Sequence, residues 1–159
     1  MAAKTGHKMK LYRNTGSPHS PSWSLVDEVG DVSIPDLTRG LAELKRRASD
    51  FTKNLASLIQ SIAIEFRLHN GLDETTFDAI RTNFFSGTAE EWACLSGEFG
   101  DSDTEGLRLP ALVENFPFDQ PLEDVAGHDV RLAVAYWETG GYELEPSWVA
   151  DGVTSSTYI

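Results

Sequence analysis

The side chains best suited to chemistry in this sequence are its four histidines, a few grouped carboxylates and one cysteine. Among the histidines, only His69 invites interpretation as a metal ligand, because Asp73 and Glu74 follow it closely. Asn70-Gly71 between them predicts a turn, and carboxylates at the start of a helix offset the positive end of its dipole. Asp73 and Glu74 therefore indicate a helix start, and no metal site is predicted.

Two acidic groups look like parts of functional motifs. Asp101, Asp103 and Glu105 alternate as in part of a calcium loop, but the later glycine and bidentate glutamate of an EF-hand do not follow. A solvated loop is therefore predicted there. Glu90 and Glu91 are adjacent, which fits either a general acid pair or solvent-facing strand residues, and nothing in the sequence places a reaction partner beside them.

The motifs of the common enzyme classes are absent from the sequence. It contains no phosphate-binding glycine loop, no Gly-x-Ser-x-Gly elbow and no His-Glu-x-x-His. Cys94 stands alone, which excludes an intrachain disulfide and a cysteine-based zinc site. The sequence predicts a protein that is not an enzyme and that uses no cofactor.

Length and composition predict one globular domain. The chain has 159 residues, 40% of them hydrophobic, with four tryptophans, which is enough to bury a real core. No apolar run is long enough to cross a bilayer, and the N-terminus lacks the apolar block of a signal peptide. We therefore expect a soluble protein that is made in the cytoplasm.

The net charge of −12 is concentrated in the second half of the chain. Residues 1–84 hold eleven Lys and Arg against ten Asp and Glu, whereas residues 85–159 hold two against fifteen. Such a surface disfavours tight nucleic-acid binding, which needs cations against phosphates, and suits a surface that must not adhere to DNA. Acidic loops that only keep the protein soluble are the alternative.

A short helix is predicted over about residues 75–86. Thr75 is a suitable N-cap, and Gly87 is suited to the left-handed residue that ends a helix. Four large apolar residues recur at the spacing of one helical face: Phe77, Ile80, Phe84 and Phe85. This face must cover a sheet, and Phe77, Ile80 and Phe84 are its predicted helix–sheet core.

Extended, alternating patterns predict five or six strands. They fall in residues 23–34, 58–68, 88–95, 107–116 and 130–136. In 58–68, Leu58 shares the apolar face, and in 107–116 Pro110 favours a sheet edge or a bulge. The predicted fold is mainly antiparallel β, a sandwich or half-barrel with one flanking helix. Residues 1–9 are a predicted flexible leader, 10–137 the β domain, and 138–159 a C-terminal arm or tail.

Residues 36–54 are ambiguous. Some apolar residues sit at helical spacing, yet Gly40 and the polar neighbours also suit a long loop. Five of the thirteen basic residues lie here: Arg39, Lys45, Arg46, Arg47 and Lys53. They form either a solvated face or an electrostatic contact with the acidic C-terminal half of another copy.

A series of short motifs follows in a particular order over residues 10–137. They are Leu11-Tyr12-Arg13-Asn14-Thr15-Gly16, Asp31-Val32-Ser33-Ile34, Phe77-Asp78-Ala79-Ile80, Phe84-Phe85-Ser86-Gly87-Thr88, Glu105-Gly106-Leu107-Arg108, Asn115-Phe116 and Gln120-Pro121-Leu122-Glu123-Asp124. Each is only a turn or a strand end, but in this order and spacing the chain resembles phage tail tube (major tail) proteins of long-tailed phages and prophages.

The resemblance implies a structural virion protein. Such proteins assemble into six-membered rings that stack into a tube, through which DNA is ejected. The long loop between early strands reaches a neighbouring subunit, which assigns assembly contacts to Arg39, Leu41, Leu44, Lys45, Arg46 and Arg47. Polar strand faces line the lumen, with Glu65, Glu90 and Glu91 as expected lumen residues. Implied partners are further copies, tape measure and terminator proteins, and DNA in transit, without a membrane.

Two other functions remain open at this stage. The same fold serves as the tube of phage-derived injection machines, which deliver effectors in place of a genome. A stand-alone β-sandwich that binds glycans through exposed tryptophans is the other alternative. The loop over 36–54 also differs from the glycine- and threonine-rich loop of most relatives, which leaves its conformation open.

Overall fold

The computed structural model describes residues 9–26, 29–34, 37–45, 47, 52–69, 74–98, 101, 103–117 and 127–149. Residues 1–8 of the predicted leader, Arg46, Asp73 and residues 150–159 of the predicted arm lie outside the described residues. Within the described ranges the strands are β1 Lys10–Asn14, β2 Trp23–Leu25, β3 Val29–Ser33, β4 Thr38–Leu44, β5 Lys53–Ser61, β6 Ala63–His69, β7 Glu90–Leu95, β8 Gly106–Asn115, β9 Gly127–Val134, β10 Glu138–Thr139, β11 Tyr142–Glu143 and β12 Ser147–Val149. The helix described there, α1, spans Glu74–Ser86.

Most strands form one antiparallel sheet, which confirms the predicted fold class. The strand order is β2-β1-β7-β8-β9-β6-β3, and β12 pairs additionally with β8. Strand β8 joins two halves of this sheet, because its first residues pair with β12 and β7 and its last residues pair with β9. The sheet does not close into a barrel.

Two residues of β8 are constrained by their places in the sheet. Gly106 lies so close to β7 that a Cβ atom there would collide with the carbonyl oxygen of Cys94. Pro110 was predicted at an edge or a bulge, but β8 is an interior strand. The missing N–H of Pro110 is tolerated because its position falls between the end of the β12 pairing at Arg108 and the start of the β9 pairing at Ala111.

The main core lies on one face of the sheet. Alternate residues of the central strands are buried there, among them Leu11, Ile64, Phe66, Leu68, Trp92, Leu109 and Leu132. The opposite face carries a smaller buried cluster formed by Tyr12, Ala93 and Leu95. Strand β7 is therefore buried on both faces, which explains its continuous run of apolar residues.

The C-terminal end of α1 confirms the prediction, whereas the predicted N-cap is wrong. The helix begins at Glu74, so Thr75 lies inside the first turn and is not the N-cap. Gly87 has φ of 69°, and its N–H donates to the carbonyl of Asn83 at 2.9 Å. The predicted left-handed helix end is thus present.

The apolar face of α1 narrows towards its C-terminus. Ile80 is fully buried, and Phe77 packs with its ring 4.7 Å from that of His128. Phe84 remains 38% exposed and Phe85 79% exposed. The expectation that Phe85 covers the sheet is wrong, because at 3.6 residues per turn it lies about 140° around the helix from Ile80.

The described part of residues 36–54 is mostly strand, which differs from both the helix and the long loop that the sequence left open. Strand β4 pairs antiparallel with β5, with irregular register on both sides of Arg39. The predicted strand over 58–68 is accordingly divided at Ile62. Leu58 therefore belongs to the β4–β5 hairpin and is 80% exposed, which corrects its predicted place on the core face.

Candidate assembly surfaces

The β4–β5 hairpin stands apart from the main sheet. It forms its own two-stranded sheet, and the side chains from Lys53 to Ile59 are all exposed. Strand β5 has nine residues, which at about 3.3 Å per residue places its two ends about 26 Å apart. A two-stranded hairpin is marginally stable in water without further packing. The exposed surface of the hairpin is therefore a candidate for contact with another protein surface.

Large apolar side chains reach solvent from both faces of the hairpin. Leu41 and Leu55 lie on opposite faces, because the register pairs Leu55 with Ala42, the neighbour of Leu41. Leu41 is 65% exposed, Leu55 54% and Leu58 80%. Concentrated apolar exposure of this kind marks an interaction surface.

The predicted assembly residues lie on the hairpin or just beyond β4. Those within the described residues are Arg39, Leu41, Leu44, Lys45 and Arg47. Arg39, near the base, donates to the carbonyl of Ser57 at 2.9 Å and so holds the two strands together. We use the name hairpin end for the cationic residues at the opposite extremity, Lys45, Arg47 and Lys53. Lys45 lies 3.7 Å from Glu43, in an ion pair that is exposed to water and therefore weak.

A groove of about 750 Å³ lies beside the base of the hairpin. We call it the arm groove, because residues 143–146 of the C-terminal arm form one wall. Its apolar side chains include Leu58, Ile59, Val134 and Tyr136, and its acidic ones are Glu143 and Glu145. The Tyr136 hydroxyl donates to Glu138 at 2.8 Å, and this hydrogen bond raises the pKa of Tyr136. The arm groove thus combines an apolar surface with an acidic wall.

All three expected lumen glutamates are paired with arginines, and two of these pairs, those of Glu90 and Glu65, are partly exposed. Glu90 accepts hydrogen bonds from Arg13 at 2.7 and 3.1 Å. Arg131 donates to both Glu65 and Glu114, and these hydrogen bonds raise the pKa of Arg131. Each pairing offsets part of the negative charge that these strands present.

Glu91 is not a lumen residue, which corrects the third expectation. It is 1% exposed and lies on the sheet face opposite to Glu90, where it accepts a hydrogen bond from Arg108. The Trp23 ring lies 5.1 Å from the Arg108 guanidinium. Loss of water raises the pKa of Glu91, although the Arg108 hydrogen bond opposes the shift. Glu91 is a buried structural carboxylate.

Sequence reasoning did not connect Asn14 with Glu91. The Asn14 amide nitrogen lies 3.5 Å from the Glu91 carboxylate. Its amide oxygen accepts from the N–H groups of Gly16 and Ser22, each at 2.9 Å. The turn signal Asn14-Thr15-Gly16 was the available clue, because an Asn at such a position bonds its own turn. The same side chain therefore orders the β1–β2 connection and reaches the buried pair.

The remaining reactive groups serve packing. Burial raises the pKa of the Cys94 thiol to about 12, so the thiolate required for reaction is scarce. His128 is buried, with its ring stacked 5.1 Å from that of Phe116 and its Nδ1 3.1 Å from the carbonyl of Pro117. Across the described ranges, no three His, Cys, Asp or Glu side chains converge as metal ligands.

None of the helical segments that the structure describes combines the length and the apolar character that crossing a membrane requires.

Comparisons with known proteins identify similar structures but no similar sequences. No protein-family model matches the sequence, and no curated protein matches it. A chain in the tail of an empty gene transfer agent particle, solved with C6 symmetry, is 15% identical with a TM-score of 0.68, covering 93% of this chain and 100% of that one. A chain of the SPP1 tail tube is 12% identical with a TM-score of 0.66, covering 96% and 82%.

A contractile system is also similar. A chain of the sheath–tube complex of the extracellular contractile injection system PVC is 10% identical, with a TM-score of 0.60 and coverage of 93% and 92%. At these identities the comparisons establish the fold. The chain has the fold found in tail tubes of phages and gene transfer agents, as the order of its motifs predicted.

Proposed function

We propose that this chain is a non-enzymatic structural subunit of a phage-type tail tube, which self-assembles into stacked six-fold rings and forms the conduit for DNA ejection. One observation carries the proposal: a chain with the tail tube fold extends a hairpin that exposes leucines on both faces. The C6 symmetry of the similar gene transfer agent tail supports the expectation of six subunits in a ring.

The hairpin gives assembly its driving force. Each exposed leucine that becomes buried between subunits contributes about 1 to 2 kcal/mol. Because Leu41 and Leu55 lie on opposite faces, full burial requires protein on both sides of the hairpin. A hairpin inserted between neighbouring subunits meets that requirement, whereas one docked on a single flat surface leaves half of its leucines in water.

The outer strands of the main sheet support ring formation as well. Strands β2 and β3 end the sheet order, and strand edges carry unpaired backbone groups that readily pair with another chain. Closure of a ring occupies such edges on every subunit at once, so a complete ring is more stable per subunit than an open chain.

The interior and the partners follow from the same proposal. Glu65 lies on the face opposite the main core, whereas Glu90 lies on the core face together with Ala111, so the two do not line the same wall. Glu65 contributes to the lumen wall, where negative charge repels DNA phosphates so that the genome passes without adhering. DNA is then a transient occupant, and tape measure and terminator proteins are the other tail partners. The subunit is made in the host cytoplasm and resides in the virion tail.

A second candidate function is the tube of an injection machine that delivers effectors. The similarity to a chain of the PVC sheath–tube complex favours it. The two functions share the same assembly and differ in cargo. Genes for a portal and a capsid next to the gene for this chain support the phage tail, and genes for a sheath without a capsid support the injection machine.

The test is assembly of the purified full chain, followed by negative-stain microscopy and sedimentation velocity. Rings or tubes with six-fold symmetry are expected. A variant with Leu41→Ser and Leu55→Ser should stay monomeric, because both apolar faces of the hairpin are lost. Phe85→Ser is the matched control, since it removes an exposed apolar side chain from α1 and should leave assembly intact. A wild-type chain that stays monomeric at high concentration overturns the proposal and favours a stand-alone binding module.

A further inference from the structure

Two surfaces of this chain complement each other in charge and in apolar character. The hairpin end is cationic, and the flanking β4 and β5 residues Leu41 and Leu55 are largely exposed. The arm groove is lined by apolar side chains and by the carboxylates of Glu143 and Glu145. The hairpin end therefore complements the arm groove, provided that the two surfaces can come into contact.

They cannot meet within one chain. Leu58 and Ile59 belong to the base of the hairpin and line the arm groove, whereas Lys53 lies at the far end of the same nine-residue strand. An extended strand keeps these ends more than about 20 Å apart. The complement of the arm groove must then come from a second copy.

The charges of the arm groove are available for such a contact. Neither Glu143 nor Glu145 forms an ion pair with a described Lys or Arg. Two arginines also line the groove. Arg131 is paired with Glu65 and Glu114, whereas Arg39 donates to the Ser57 carbonyl and keeps its positive charge. Glu143 and Glu145 therefore outnumber the one lining cation that has no carboxylate partner among the described residues, and the groove remains acidic towards an incoming cation.

A second acidic surface, at Glu98 and Asp101, is a poorer receptor. Both side chains are exposed, and the Thr104 hydroxyl donates to the Glu98 carbonyl at 2.8 Å. No apolar groove accompanies it among the described pockets. The leucines of the hairpin would remain in water there.

We propose that the hairpin end of one copy docks in the arm groove of a second copy. This inference rests on the proposed self-assembly and adds the receptor surface. The interface is heterologous, because each copy donates a hairpin and receives another in its groove. Repetition of a heterologous contact yields a closed ring or an open filament according to the rotation between neighbours.

Charge reversal on each side tests the contact. The donor variant carries Lys45→Glu and Lys53→Glu, and the groove variant carries Glu143→Lys and Glu145→Lys. Each alone should raise the protein concentration required for assembly at least about tenfold, because like charges then face each other. The control variant, Glu98→Lys with Asp101→Lys, changes the net charge as the groove variant does and should assemble as the wild type.

Mixing the two defective variants is the decisive step. The intact hairpin of the groove variant fits the intact groove of the donor variant, and the two reversed surfaces also complement each other. An equimolar mixture should therefore assemble at close to the wild-type concentration, measured by sedimentation and negative-stain microscopy. Recovery on mixing also demonstrates that both variants are folded.

The outcomes separate this inference from the proposed function. Normal assembly of the groove variant, an equal loss in the control variant, or no recovery on mixing each overturns the hairpin-to-groove contact while the wild type still forms tubes. A wild type that never assembles overturns both. Recovery on mixing, with an intact control, establishes the contact.

Discussion

The main sheet and the β4–β5 hairpin differ in where they place their large apolar side chains. Strand β7 buries side chains on both faces, with Trp92 and Leu95 each 1% exposed. The hairpin buries neither face, and Leu41 and Leu58 remain mostly in water. The sheet therefore supplies the buried core of the monomer. In the proposed assembly, the hairpin gains its apolar burial from other copies, so that stability of the subunit and stability of the assembly reside in different parts of the chain.

Their ion pairs differ in the same sense. Arg108 and Glu91 form a pair with side chains 3% and 0% exposed, whereas those of Lys45 and Glu43 are 77% and 65% exposed. A buried pair is destabilising when one partner is removed, because the other charge is left without water. An exposed pair contributes little in the monomer. The hairpin charges therefore add little to the stability of the monomer, and in the proposed assembly they serve in recognition of another copy.

The largest effect is expected at Trp92. Replacement by Ala removes the largest fully buried side chain of the core, which contacts Phe66 at a ring-centroid distance of 5.8 Å. The free energy of unfolding should fall by about 4 kcal/mol through lost transfer energy and a residual cavity. Urea denaturation followed by far-UV circular dichroism measures it. A loss below about 1 kcal/mol would mean that the core is not the source of monomer stability.

The next effect is expected at Arg108. Folding raises the pKa of Glu91 above its ordinary value of 4.5, so the native state holds the proton more tightly and this group's contribution to stability falls as pH rises above that value. Arg108→Met removes the partner that lowers the Glu91 pKa. The decrease in the free energy of unfolding with rising pH therefore continues to higher pH and becomes larger. We expect a loss of about 3 kcal/mol at about pH 8 and a smaller loss at about pH 5.

Urea midpoints at both pH values check this expectation. The control adds Glu91→Gln to Arg108→Met, which removes the titrating group and should make the loss nearly independent of pH. A loss in the single variant that is equal at both pH values contradicts the assignment of Glu91 as the responsible group.

The same contrast explains which parts of the fold were predictable. Ile64, Phe66 and Leu68 alternate because their partners lie on the same face of the same sheet, so periodicity located the part of the predicted strand over 58–68 that forms β6, but not the break at Ile62. The hairpin carries exposed apolar residues on both faces, so its apolar residues do not alternate with polar ones, and its pattern was compatible with a helix or a loop. The periodicity of apolar residues indicates which side chains are buried within a chain, but it does not indicate which are buried between chains.

The candidate site shows a second limit. Arg39, Leu41, Leu44 and Lys45 were assigned to assembly from a resemblance, and the hairpin carries them. Glu91 was misplaced because Glu90 and Glu91 look alike in sequence, while strand alternation sends them to opposite faces. Its partner Arg108 lies 17 residues away and meets it only through the register of β7 and β8, which local patterns do not encode.

An intermediate effect is expected along α1. Ile80→Ala should lower the free energy of unfolding by about 2 to 3 kcal/mol, because the side chain is fully enclosed. Phe85→Ala should change it by less than about 0.5 kcal/mol, because 79% of that side chain is already in water. Chemical denaturation of both variants under identical conditions gives the comparison. Equal losses would show that α1 buries its C-terminal turn against the sheet.

The smallest effect on the monomer is expected at Leu58, where the comparison between sheet and hairpin is sharpest. Leu58→Ser alters a side chain that is 80% exposed, so the free energy of unfolding should change by less than about 0.5 kcal/mol. Measurement by urea denaturation must be made below the concentration at which rings or tubes form, since assembly adds to apparent stability. The same variant should assemble poorly, because Leu58 belongs to both the hairpin and the arm groove. A monomer destabilised as strongly as by Ile80→Ala would place Leu58 in the core of the subunit and remove the distinction between the two regions.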